Sequence, residues 1–125
     1  MKKLLILPVL FAMLPFAAFA QTPTITSQPA ATTIAFTGFI SASLSVGASV
    51  AEGQIHSFQW FSNTVNSNVG GTPIAGATSE RFPIPANLTS GEHFFFIEVR
   101  ASGGAAIRSN VAVVRVFDFD ECDLC

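Results

Sequence analysis

The chain has little charge and almost no basic side chains. Its 125 residues include six Lys or Arg against eight Asp or Glu, and charged residues make up 11% of the total. Both lysines, Lys2 and Lys3, lie at the extreme N-terminus, so the rest of the chain has four Arg against eight acidic residues. Binding to nucleic acid or to an anionic membrane surface depends on a positive face. The composition therefore argues against both kinds of partner.

Residues that carry catalysis or bind metals are also scarce. The chain has no tyrosine and two histidines, His56 and His93, with no carboxylate at a suggestive spacing from either. It has no G-x-S-x-G nucleophile motif, no cluster of His and Cys, and no glycine-rich loop that precedes a predicted helix. Acid–base catalysis needs groups that shift each other's pKa, and such pairs are missing here. We expect a protein that is not an enzyme and needs no cofactor or metal.

Only one long apolar run occurs, and it lies at the N-terminus. The two lysines precede an apolar segment from Leu4 to Phe16, and the small-residue triplet Ala18-Phe19-Ala20 follows. This pattern predicts a secretory signal peptide over residues 1–20, cleaved before Gln21. A retained membrane anchor is the alternative, but two prolines interrupt the run, and it is shorter than the roughly 20 residues that span a bilayer. We expect a secreted or cell-surface protein with no membrane span after cleavage.

The remaining chain is rich in apolar residues that alternate with polar ones. Half of the sequence is apolar, which excludes a disordered chain, and the length after cleavage suits one domain. A period of two, bounded by Gly, Pro, Asn and Ser, predicts β-strands. Six of the predicted strands have assigned ranges: Thr24–Gln28, Ile40–Val46, Ile55–Ser62, Arg81–Pro85, His93–Ala101 and Ala105–Phe117. About seven short strands favour an all-β antiparallel sandwich, with a β-barrel as the alternative.

The order of several short motifs adds a resemblance. The motifs are Ser57-Phe58-Gln59-Trp60-Phe61-Ser62-Asn63, Thr72-Pro73-Ile74-Ala75-Gly76-Ala77-Thr78-Ser79, Arg81-Phe82-Pro83-Ile84-Pro85, Gly91-Glu92-His93-Phe94-Phe95-Phe96 and Ser109-Asn110-Val111. In this order they resemble a bacterial immunoglobulin-like domain, a module common in exported and cell-surface proteins. The resemblance covers about residues 24–117. It implies an immunoglobulin-like β-sandwich domain over 21–117.

The resemblance implies a core and also shows departures. It places Trp60 and Phe58 inside the sandwich. Antibody domains carry a disulfide between the two sheets, but no Cys occurs on the equivalent strands here, so Leu44 (or the neighbouring Ala42) and Phe95 are expected to fill that space. The position of the usual corner tyrosine holds His93. We expect a structural imidazole there rather than a catalytic one.

Alternation also predicts an apolar face that points away from the core. If alternate residues of the last two long strands point inward, the intervening residues point outward beside the strand of Trp60. The outward residues form a candidate partner-binding cluster: Phe61, Phe94, Phe96, Val113 and Phe117. An apolar patch on an exported module suggests contact with a partner domain, a second copy or a ligand. The alternative is that these side chains only strengthen cross-strand pairing.

The C-terminal segment 118–125 differs in character from the rest. It contains four acidic residues and both cysteines, Cys122 and Cys125. In an oxidising compartment this pair is a candidate disulfide, within the chain or to another chain. A passive solvated tail and a metal site are the alternatives.

These observations favour one function and leave a second open. The first is a non-catalytic exported module, structural or adhesive, that binds a protein or surface partner. The second is a small carbohydrate-binding or ligand-binding β-sandwich domain.

Overall fold

The computed structural model describes residues 22–51 and 54–119. The predicted signal peptide and the cysteine pair therefore lie outside the described residues. The described strands are β1 (Thr24–Ser27), β2 (Thr32–Phe36), β3 (Ser43–Ser45), β4 (Gly47–Ser49), β5 (Ile55–Asn63), β6 (Thr72–Pro73), β7 (Arg81–Pro83), β8 (Gly91–Ala101), β9 (Ala106–Arg108) and β10 (Ala112–Phe117). No α-helix occurs in these two ranges, and hence none that could cross a bilayer.

Most strands belong to one large sheet. Its order is β2-β10-β8-β5-β6. Strand β9 also pairs with β8, next to the part of β8 that pairs with β10. All neighbours in this sheet are antiparallel except β2 and β10, which are parallel. The smaller pairs β1-β4 and β3-β7 form the opposing layer, since Leu44 of β3 and Phe82 of β7 pack in one core with Trp60 of the large sheet. The result is an all-β sandwich, as the sequence predicts.

The core lies between these layers and centres on Trp60. Its side chain is fully buried, stacks on Phe82 at 5.5 Å between ring centroids, and donates from Nε1 to the Ser79 carbonyl at 2.8 Å. This satisfies the one polar atom that burial of an indole would otherwise leave without a partner. Leu44 and Phe95 are buried in the same cluster, and Phe58 is partly buried against it, so all four residues of the predicted core meet there.

The structure divides the predicted last strand into two pieces. The sequence predicts one strand over 105–117, but β9 ends at Arg108 and β10 begins at Ala112. Between them lies Ser109, fully buried, whose hydroxyl accepts from Ile97 N at 3.0 Å and donates to the Asn110 carbonyl at 2.8 Å. A side chain that bonds the backbone in this way displaces a ladder hydrogen bond. The strand is therefore interrupted, although both pieces stay beside β8.

Strand β2 is absent from the sequence prediction. It pairs with β10 over five positions, from Thr32 with Val113 to Phe36 with Phe117. Its inward residues, Thr33 and Ala35, are no more apolar than its outward residues, Ile34 and Phe36, so the segment lacks the alternation of a half-buried strand. The predicted strand over 40–46 is shorter in the structure, where β3 covers Ser43–Ser45 and a separate strand, β4, begins after Val46.

Candidate binding face

The large sheet has an outer face that points away from the core. Its cross-strand pairs include Phe61 with Phe96 and Phe94 with Val113, whereas the alternate residues of the same strands are buried. The predicted cluster therefore does lie on one face. However, its members occupy different environments, and only Phe117 is exposed, with 48% of its surface accessible to solvent.

At the centre of the outer face, Phe96 is fully buried. The Phe61 ring stacks on it at 5.1 Å with an angle of 5° between ring planes. The Arg108 guanidinium lies over both rings, 4.7 Å from the Phe61 centroid and 5.0 Å from that of Phe96. We call these three side chains the aromatic clamp. The prediction that Phe96 is available to bind a partner is wrong, because the side chain is fully buried. Alternation predicts the direction of a side chain but not which other residues cover it.

Arg108 also fixes the loop between β5 and β6 over this face. Its Nε donates to Glu98 at 3.1 Å, and its Nη1 donates to the carbonyls of Asn68 and Gly70 at 2.9 and 3.0 Å. The Asn68 amide in turn donates to the Ser109 carbonyl at 2.8 Å. Hydrogen bonds to a charged group are stronger than those between neutral groups. The segment of Arg108 and Ser109 is therefore hydrogen-bonded to the loop at Asn68, about 40 residues distant in sequence.

Phe94 and Val113 are partly buried, and Phe94 lines an open groove at one end of the sheet. The groove has a volume of about 720 Å³. It is lined by Ser62, Asn63, Thr64, Gly71, Thr72, Ile74, Pro85, Leu88, Glu92, His93, Phe94 and Phe95. One wall includes the His93 imidazole, whose Nε2 lies 2.7 Å from the Thr89 carbonyl, so Nε2 carries the proton and donates. This is the backbone bond, a few residues upstream, that a corner tyrosine makes in immunoglobulin-like sandwiches.

A second aromatic group lies at the corner formed by the ends of β2 and β10. The distances between ring centroids are 6.2 Å for Phe117 and Phe36, 4.9 Å for Phe119 and Phe39, and 6.5 Å for Phe36 and Phe119. Exposed fractions of 67% for Phe39 and 50% for Phe119 leave this group open to solvent. We call the four rings the aromatic corner. Ile34, 53% exposed, extends it along β2.

The backbone of the aromatic corner is tied down, although its side chains are open. Thr37 N donates to the Phe117 carbonyl at 2.9 Å, and Phe119 N donates to the Thr37 hydroxyl at 3.2 Å. Phe39 N closes a turn onto the Phe36 carbonyl at 3.0 Å. The exposed rings are therefore presented from hydrogen-bonded backbone. A rigid apolar surface of this kind loses little conformational entropy on binding.

Charged groups on the outer face are engaged with one another. Glu98 pairs with Arg100 at 2.8 Å and with Arg108, while Glu92 pairs with Arg115 at 3.0 Å. Among the residues that the structure describes, no three His, Cys, Asp or Glu side chains lie together as metal ligands would. The charged groups of the outer face therefore form ion pairs with one another.

Comparison with solved structures agrees with this architecture. A structure titled "Structures of Clostridium thermocellum CbhA fibronectin(III)-like modules" superposes with a TM-score of 0.59 at 14% sequence identity, over 85% of this chain and 51% of that chain. The chain has an immunoglobulin-like β-sandwich fold. It spans about half the length of that matched structure. No protein-family model matches the sequence, and no curated protein matches it.

Within this immunoglobulin-like sandwich, sequence reasoning missed three of the four rings of the aromatic corner. The sequence assigns Phe36, Phe39 and Phe119 to no face, because alternation does not predict β2 and Phe119 belongs to the C-terminal segment 118–125. One signal was present. The run Thr32-Thr33-Ile34-Ala35-Phe36 is rich in β-branched residues and has no charge, which is typical of a strand.

Proposed function

We propose that this chain is an exported, non-catalytic immunoglobulin-like module, structural or adhesive, that binds a protein or cell-surface partner through the aromatic corner. The sandwich fold and the scarcity of catalytic residues support a binding role over an enzymatic one. Folds do not by themselves specify function, so the proposal depends on the site.

The observation that carries the proposal is the exposure of the aromatic corner. Elsewhere on the outer face, Phe96 is fully buried, and Phe61, Phe94 and Val113 are partly buried. At the corner, Phe39, Phe117 and Phe119 remain about half exposed or more. Aromatic residues are enriched in the buried centres of protein interfaces, and clustered exposed ones mark contact sites.

Export is the second part of the proposal and is supported by residues 1–20 alone. The expected mature chain begins at Gln21. Intact-mass measurement of the protein recovered from the medium or cell surface tests this. Recovery of the uncleaved chain from the cytoplasm would contradict export.

A bead-binding assay tests the corner. Beads coated with the mature protein are mixed with cells of the source organism, and bound cells are counted. The Phe39→Ser/Phe119→Ser variant should bind several-fold fewer cells than the wild type. The matched control is Val65→Ser/Val69→Ser, which also removes two exposed apolar side chains, 57% and 77% exposed, from the loop between β5 and β6. Equal binding by all three coatings would refute the proposed role of the corner.

The end groove favours a second candidate function, the binding of a small carbohydrate or similar ligand. Its walls combine the Phe94 ring with the polar side chains of Asn63, Thr72 and Glu92, and ligand sites commonly pair an apolar surface with a few polar groups. A glycan array separates the two functions. A carbohydrate-binding domain would bind an oligosaccharide, lose that binding on Phe94→Ala, and retain it in the Phe39→Ser/Phe119→Ser variant.

A further inference from the structure

We propose that the free edge of β2 is an interface between two copies of this chain, in which the two β2 strands pair antiparallel about a twofold axis at Ile34. This inference deepens the proposed function, on which it rests, because it names a second copy as one partner. It starts from the position of β2. This strand ends the large sheet, with β10 on one side and no described strand on the other.

The hydrogen bonds of β2 show which backbone groups face the free edge. Ala31 O accepts from Val113 N at 3.0 Å, and Thr37 N donates to Phe117 O at 2.9 Å. Along a strand, successive residues direct their N–H and C=O groups to opposite sides. Positions 31, 33, 35 and 37 therefore face β10, whereas Thr32, Ile34 and Phe36 present their backbone groups to the edge.

These outward groups are self-complementary. Antiparallel pairing about Ile34 places Ile34 opposite its own copy, where the two residues exchange both N–H···O bonds. It places Thr32 opposite Phe36 of the other copy, where the Thr32 carbonyl accepts from Phe36 N. The Phe36 carbonyl already accepts from Phe39 N at 3.0 Å. A twofold interface needs the same patch on both copies, and this register provides it.

The edge of β2 lacks the protection that the edge strands β6 and β7 carry. Proteins discourage edge pairing with prolines, charges or very short strands. At the opposite end of the large sheet, β6 has two residues and includes Pro73, while the edge strand β7 contains Arg81 and Pro83. By contrast, β2 has five residues with no proline, glycine or charge.

Side chains and charges favour pairing of like copies. Ile34 is 53% exposed, and the register of β2 with β10 places Thr32, Ile34 and Phe36 on the same face as Val113, Arg115 and Phe117. In the pair, Ile34 would pack on Ile34 of the other copy, and Phe36 on the methyl group of Thr32. The nearest cation, Arg115, is engaged by Glu92 at 3.0 Å. No like charges therefore oppose each other across the edge.

Light scattering after size exclusion tests the interface. The mature protein is used with Cys122→Ser/Cys125→Ser and in reducing agent, so that no tail disulfide contributes. We expect the measured mass to rise toward twice the chain mass with concentration. Ile34→Lys should hold it at one chain, with an unchanged circular dichroism spectrum, since residue 34 is exposed. The matched control Val65→Lys should dimerise like the parent. A parent that stays monomeric up to millimolar protein would overturn the proposal.

A cross-link tests the register itself. In the same background, Ile34→Cys brings two thiols together, because hydrogen-bonded antiparallel residues have Cα atoms about 5.5 Å apart, within disulfide range. Mild oxidation should convert most of the protein to a covalent dimer, and Val65→Cys should give little. A dimer that survives Ile34→Lys, or that fails to cross-link through Ile34→Cys, would place the contact elsewhere and refute this interface.

The bead assay separates this inference from the proposed function. If the Ile34→Lys monomer still binds cells, cell binding does not depend on pairing and the proposed function stands alone. If the parent dimerises through β2 and the wild-type beads bind no cells, the interface stands and the adhesive function fails.

Discussion

The aromatic clamp and the aromatic corner both contain phenylalanine side chains on the outer face of the large sheet. In the clamp, Phe96 is fully buried under Arg108 and the loop between β5 and β6. At the corner, Phe117 keeps 48% of its surface exposed, and its nearest ring partner, Phe36, lies on the edge strand β2. The two rings differ in exposure because Arg108 and a loop cover Phe96, whereas Phe117 stays half exposed. A strand sets the direction of its side chains, whereas distant segments decide whether that surface meets water.

Removing a ring from each region tests the comparison most strongly. Phe96→Ala should lower the free energy of unfolding by about 3–5 kcal/mol, as expected for a large buried side chain. Phe117→Ala should cost no more than about 1 kcal/mol, since most exposed substitutions have small effects. Urea denaturation followed by circular dichroism measures both. Equal losses would mean that Phe96 is not covered as described.

A pair of glycines probes the loop that covers the clamp. Gly70 and Gly71 both have positive φ, at 76° and 85°, so alanine at either position adds backbone strain of about 1–2 kcal/mol. At Gly71, a Cβ would also lie 3.0 Å from the Phe96 ring and 3.0 Å from the Ser62 carbonyl, whereas at Gly70 it would meet nothing within 4 Å.

Gly71→Ala should therefore destabilise the protein by about 1–3 kcal/mol more than Gly70→Ala, the usual cost of overpacking. The two variants are compared by the same denaturation. If Gly70→Ala proves the more damaging, the loop does not rest on Phe96.

A pair of arginines separates the clamp from an ordinary surface ion pair. Arg108→Ala removes contacts to two rings, one carboxylate and two carbonyls, and we expect a loss of about 1–3 kcal/mol. Arg115→Ala breaks an ion pair whose side chains are 52% and 50% exposed, which should cost less than about 1 kcal/mol. Limited proteolysis of Arg108→Ala should also show faster cleavage within residues 64–71. Unchanged cleavage would show that Arg108 does not hold the loop.

The smallest effect on stability is expected at the corner itself. Phe39→Ser/Phe119→Ser should change the free energy of unfolding by less than about 1 kcal/mol, because both rings are at least half exposed. The same denaturation measures it, with Val65→Ser/Val69→Ser as the control. A large loss would mean that the corner contributes to the fold, and its loss of cell binding would then have a structural explanation.

Local patterning accounts for much of the sandwich. Alternation identifies the strands that contain Trp60 and Phe95 and correctly places Leu44 on a buried face. It succeeds because each strand buries one face, which imposes a period of two. The interruption at Ser109 escapes it, since that break depends on a hydroxyl bonding to backbone on β8.

The site is less accessible to sequence reasoning than the fold. The burial of Phe96 depends on Arg108 and on Gly71, which come from segments remote in sequence. The corner depends on the parallel pairing of β2 with β10, and the residues of neither strand indicate which strand it pairs with. Contacts of this kind arise from the tertiary structure, so a pattern along the chain predicts the direction of Phe117 but not its neighbours.

The buried indole of Trp60 has a practical consequence for measurements of unfolding. Because the chain has a single tryptophan and no tyrosine, its intrinsic near-ultraviolet emission comes almost wholly from Trp60. That ring stacks on Phe82 of the opposing layer and donates to Ser79. A red shift of its fluorescence therefore reports separation of the two layers, without any added dye or label.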